Sequence, residues 1–96
     1  MKHFMIEITY LVPAEQLAEI VPVHRAFLQT GYDAGKLLFS GPQNPRVGGI
    51  VLARAESLEE IQQFFAGDPY QIQGLASYRF VEFAPVKFQA FMEPWL

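Results

Sequence analysis

The sequence predicts an α+β fold with elements in the order βαββαβ: a four-stranded antiparallel sheet carrying its helices on one face. Three observations lead there. Residues 2–12 alternate with a period of two, residues 13–35 switch to a helical period, and residues 37–88 repeat the theme as hairpin, helix and strand.

In the first segment Phe4, Ile6, Ile8 and Tyr10 share one face, and His3, Met5, Glu7 and Thr9 share the other. Pro13 ends this strand. Leu17, Ile20, Val21, His24, Phe27, Leu28 and Gly31 then recur at spacings of three and four, one face of a helix. Pro22 is tolerated only in a first turn, so the region divides into a short turn near 14–19 and a main helix near 22–34, stopped by Gly35. Residues 37–41 and 47–55 are two apolar runs around a polar loop, a β-hairpin. Ser57 with Glu60 is a capping box opening a helix that carries Leu58, Ile61, Phe64 and Phe65 and ends at Gly67. Asp68-Pro69 starts a short helix running to about Gly74, with Asp68 as N-cap. Ser77 to Phe88 is the last strand, and residues 89–96 are an aromatic tail.

This order is the ferredoxin-like one. Right-handed crossovers are expected to place the first and third strands at the centre of the sheet, parallel to each other. Helices cover only one face, yet both faces are largely apolar: Val51 and Ala53 back onto Ile50 and Leu52, and Tyr78 and Phe80 back onto Val81 and Phe83. A second layer is expected, and a partner subunit supplies it if two sheets pack face to face as a dimeric α/β barrel.

Composition narrows the function. Ninety-six residues suit one domain over 1–96, and 51% apolar residues exclude a disordered chain. The net charge is −3 and the seven Lys and Arg are spread singly, so no basic cluster for nucleic acid is visible and no nucleic-acid partner is expected. With no Cys there is neither a disulfide nor a thiolate site, and two His make a zinc site improbable; no metal or cofactor is expected. Residues 3–12 lack a cleavage site and carry Glu7, and no apolar run reaches the ~20 residues of a membrane span. A soluble cytoplasmic protein with no membrane partner is the expectation.

Few residues can carry chemistry. His3 has no evident partner and is assigned to the surface. His24 lies on the apolar helix face, in the first turn, where the positive end of the helix favours neutral imidazole, the form a general base requires. A core histidine bonded to a carbonyl fits the same position. Asp68 is a cap by spacing, although one carboxylate oxygen can cap while the other orients a histidine. Ser40 beside Gly41 offers a hydroxyl where a ligand can approach backbone, and an ordinary turn residue is the plain alternative. There is no nucleophile elbow and no phosphate loop.

His24 with Leu28, the run Gly35-Lys36-Leu37-Leu38-Phe39-Ser40-Gly41-Pro42, Ser57-Leu58-Glu59-Glu60, and Asp68-Pro69-Tyr70 together resemble the YCII-related (YciI-like) family, over about residues 4–88. The resemblance implies a dimeric α/β barrel akin in fold to muconolactone isomerase. It also implies a pocket with His24 and Asp68 as a catalytic pair and with Ser40, Gly41, Tyr70 and Arg25 as substrate contacts. Many members carry Arg three positions before the His. This chain has Val21 there, followed by Pro22, which leaves Arg25 and Arg46 to meet an anionic group. Isomerase-, lyase- or dehydrochlorinase-like chemistry on a cyclic or lactone-like molecule is the implied activity. A ligand-binding module without catalysis and a purely structural dimerisation domain are the alternatives; the tail 89–96 is expected to pack on the dimer.

Overall fold

In the computed structural model, which describes residues 1–96, the N-terminal alternation becomes strand β1 (Lys2–Tyr10), with Phe4, Ile6 and Ile8 buried. A 3₁₀ turn at Ala14–Leu17 precedes helix α1 (Val21–Asp33), whose first turn accommodates Pro22 because its missing N–H would have no partner there. The helix closes as a Schellman motif. Gly35 adopts φ +73°, its amide donates to Tyr32 O at 3.0 Å, and Lys36 N donates to Gly31 O at 2.8 Å. Strands β2 (Leu37–Pro42) and β3 (Gly48–Ala55) form the hairpin.

Helix α2 (Leu58–Phe65) starts at Ser57, whose Oγ accepts from Glu60 N at 3.1 Å. The reciprocal half of the capping box is displaced by one residue, since the Glu60 carboxylate accepts from Glu56 N at 3.0 Å. Helix α3 (Pro69–Ile72) is one turn long, ending short of Gly74, which takes φ +66°. Strand β4 (Ala76–Phe83) stops well before the expected Phe88. The register explains this: Phe83 pairs with His3, so β1 runs out of backbone to bond, and Pro85 has no N–H to offer.

The sheet order is β2-β3-β1-β4, with β3 and β1 central. They are antiparallel, not parallel as expected. The hairpin makes β3 antiparallel to β2, and the α1 crossover makes β2 parallel to β1, so β1 and β3 must oppose. Their pairing is close: a Cβ on Gly48 would lie 1.8 Å from Ile8 O. One face packs Phe4, Ile6, Ile8, Val51 and Ala53 against Leu28, Ile61 and Phe65 of α1 and α2. The other carries Met5, Ile50, Leu52 and Val81, half-buried, with Phe39 and Phe83 exposed.

The tail forms a 3₁₀ segment at Ala90–Trp95 and folds back on its own chain. Arg54 donates from Nη1 to Trp95 O at 2.6 Å and lies over the indole at 5.2 Å; the His3 ring sits 5.4 Å from it. His3 is therefore buried, not at the surface, and its Nε2 has no partner. Burial and the nearby N-terminal ammonium group hold its pKa below the ordinary imidazole value. No helix is long and apolar enough to cross a membrane.

Candidate active site

Helix α1 puts His24 one turn in from its start, with the ring turned toward the sheet. Helix α3 puts Asp68 at its N-cap, where the carboxylate is 0% exposed. The two meet: His24 Nδ1 lies 2.8 Å from Asp68 Oδ1. The same oxygen accepts from Tyr70 N at 3.1 Å, so the cap and the imidazole contact share one atom. Oδ2 accepts from the Tyr78 hydroxyl at 2.7 Å. Capping and orienting thus coexist, though not on separate oxygens as the sequence suggested.

The protonation pattern follows from this donor count. A carboxylate only accepts, so an ionised Asp68 draws the imidazole proton onto Nδ1. Tyr78 is held in its donor form, because burial first, and then the hydrogen bond to Asp68 and its charge, push the phenol far above its usual value. His24 Nε2 is left as a free acceptor, and the ring lines a cavity of about 350 Å³. Tyr70 lies flat on that ring at 4.0 Å between centroids and 9° between planes, fixing its tilt. Burial, Tyr10 and Asp68 push the Tyr70 phenol up to about 12, with Arg46 and Arg25 pulling the other way.

Ser40, Gly41, Tyr70 and Arg25 all line the same cavity as His24, as does Arg46 from the β2–β3 loop. Ser40 lies 2.6 Å from the Tyr32 hydroxyl, so the cavity lining presents two coupled hydroxyls. Nothing lies within 4 Å of where a Gly41 Cβ would be, so that backbone is open to a ligand. Ile8, Val51 and Leu28 supply the apolar floor. Asp68 stands behind His24 rather than in the cavity. Sequence reasoning missed Tyr78, Tyr32 and Tyr10. No group of three or more His, Asp or Glu side chains is placed to hold a metal ion.

The YCII-related domain family matches residues 1–84. The protein YciI of Escherichia coli O6:H1 is 36% identical over 84 residues, spanning 76% of this chain and 83% of the relative. YciI of Shigella flexneri gives the same figures of 36%, 76% and 83%. Among solved structures, 5-chloro-2-hydroxyhydroquinone dehydrochlorinase of Burkholderia phenoliruptrix AC1100, in complex with 2,5-dihydroxybenzoquinone, superposes with a TM-score of 0.68, covering 85% of this chain and 91% of the other at 20% identity. At that identity the likeness establishes a common fold alone.

Proposed function

The chain belongs to the YCII-related family, and from that premise we propose a small-molecule enzyme in which His24 is the general acid/base and Asp68 orients it. The observation that carries this reading is the short bond from His24 Nδ1 to a wholly buried carboxylate, with Nε2 left free on a cavity wall. Nε2 takes a proton from a hydroxyl or an activated C–H of a cyclic substrate, and the imidazolium formed is stabilised by the Asp68 charge. Returning that proton elsewhere on the ring gives an isomerisation. Expelling a leaving group instead gives an elimination, and dehydrochlorination, the reaction for which the structural neighbour is named, is one form of it. The Tyr32–Ser40 hydroxyl pair, with one O–H spent between them, keeps the other to donate to oxygen charge developing on the substrate.

A homodimer completes the proposal, with a second copy covering Met5, Ile50, Leu52, Val81, Phe39 and Phe83 to close the barrel. Light scattering should then give twice 10.9 kDa, and a monomer at micromolar concentration would remove the barrel.

The functional test is turnover of chlorinated hydroquinones, lactones and related ring compounds by the wild type and by His24→Ala. General acid/base assistance is worth about 10²–10⁴ in rate, so the variant should lose most turnover while remaining folded. Binding without turnover by the wild type would favour the non-catalytic binding module instead.

A further inference from the structure

The cavity is lined by two guanidinium groups that no carboxylate of the chain pairs. Arg25 follows His24 on α1, and Arg46 comes from the loop between β2 and β3; both line the cavity. Neither has a carboxylate partner. The ion pairs formed are Lys2–Glu82, His24–Asp68, Lys36–Glu60 and Arg79–Glu7. In a chain of net charge −3 with ten acidic residues, two guanidinium groups brought from distant segments to one pocket without an acid between them are a pattern that packing does not explain. Both sit close enough to Tyr70 to favour its ionised form, which places their field on the face of the pocket where Tyr70 and His24 stack.

We propose that this cavity binds an anionic ring compound whose carboxylate or enolate oxygen is held by Arg25 and Arg46 while the ring edge meets His24. The proposal deepens the acid/base reading of the same site by naming the substrate class. Guanidinium groups give charge-assisted, directional bonds to such oxygens. They also stabilise the further negative charge that builds on a ring when His24 removes a proton from it. Ile8, Leu28 and Val51 give the cavity an apolar lining on which a ring can rest, beside the His24 imidazole that Tyr70 backs.

The test is calorimetric titration with matched pairs: benzoate against benzamide, and 2,5-dihydroxybenzoquinone, an acidic dienol, against uncharged hydroquinone. Each anion should bind about ten-fold or more tighter than its neutral counterpart, and the preference should shrink as salt is raised. Arg25→Gln and Arg46→Gln, both at exposed positions, should each weaken anion binding by about ten-fold and leave the neutral compounds unchanged. Equal affinity within both pairs, no binding of either anion at millimolar concentration, or anion affinity indifferent to both substitutions would each overturn the proposal. His24→Ala separates the two claims. If it abolishes turnover while the arginine variants bind anions normally, the anion site is wrong and the acid/base pair stands. If anion binding depends on the arginines but no compound is turned over, the anion site stands and the enzyme reading falls.

Discussion

Replacing Asp68 by Asn and by Ala separates its two duties. Asn retains an oxygen for the His24 Nδ1–H and the Tyr70 amide, and its NH₂ can face the Tyr78 hydroxyl, which accepts as readily as it donates. Asn also caps about as well as Asp. Three charge-assisted bonds become neutral ones, a loss of roughly 1 kcal/mol each, but the desolvation of a wholly buried charge is relieved at the same time. The net change in stability should stay within about 1 kcal/mol. Turnover should nevertheless fall by about 10²–10⁴, because no charge remains to stabilise the imidazolium. Asp68→Ala also loses the cap, ~1 kcal/mol, and leaves the Tyr78 hydroxyl and the imidazole N–H unpartnered, ~1–3 kcal/mol more each. A loss of roughly 3–7 kcal/mol corresponds to at least about 12 °C in melting temperature for a domain of this size. Thermal unfolding at fixed protein concentration, alongside a turnover assay, reads both. If Asp68→Asn keeps full turnover and only Asp68→Ala is impaired, through instability, Asp68 is a cap and no more.

The His3 imidazole makes stability depend on pH. Its unfolded form takes a proton near pH ~6.5 and its folded form only at lower pH, so between the two the unfolded chain holds more protons. Stability should be full above pH ~6.5 and fall as pH drops below it; His3→Phe should flatten that slope in melting curves, and an unchanged slope would put the titration elsewhere. Removing residues 89–96 takes Trp95 off His3 and Arg54 and should lower stability by about 2 kcal/mol; an unaltered melting temperature would show the tail to be a passenger. Gly48→Ala drives a methyl into the Ile8 carbonyl and should prevent β1–β3 pairing, read as loss of the folded near-ultraviolet circular dichroism, whereas a native spectrum would contradict the close approach.

What was legible in the chain was mostly local. Asp68-Pro69 announces its cap by adjacency, and Gly35 announces the end of α1, because both act within a turn of themselves. The inward aim of His24 follows from helical period alone. Its meeting with Asp68 does not: it rests on the family resemblance and on both helices lying on the same side of the sheet. Tyr78 went unnoticed although its position on the core face of β4, two residues before Phe80, was in view: an inward phenol needs a hydrogen-bond partner. His3 was misplaced because its burial comes from Trp95, at the far end of the chain, which no local pattern connects to it. The β1–β3 direction was recoverable from the hairpin, whose reversal of β3 decides it.

One oxygen of Asp68 receives both the Tyr70 amide and the His24 ring. The backbone thereby carries a built-in reporter. When the imidazole gains or loses its charge, the electron density that Oδ1 shares with the amide is redistributed, so the Tyr70 ¹H–¹⁵N resonance should move with the state of His24. A ligand seated against Nε2 would be felt at the same resonance without touching it. That single cross-peak lets occupancy of the cavity be followed in solution without a chromophore, a label or a known reaction.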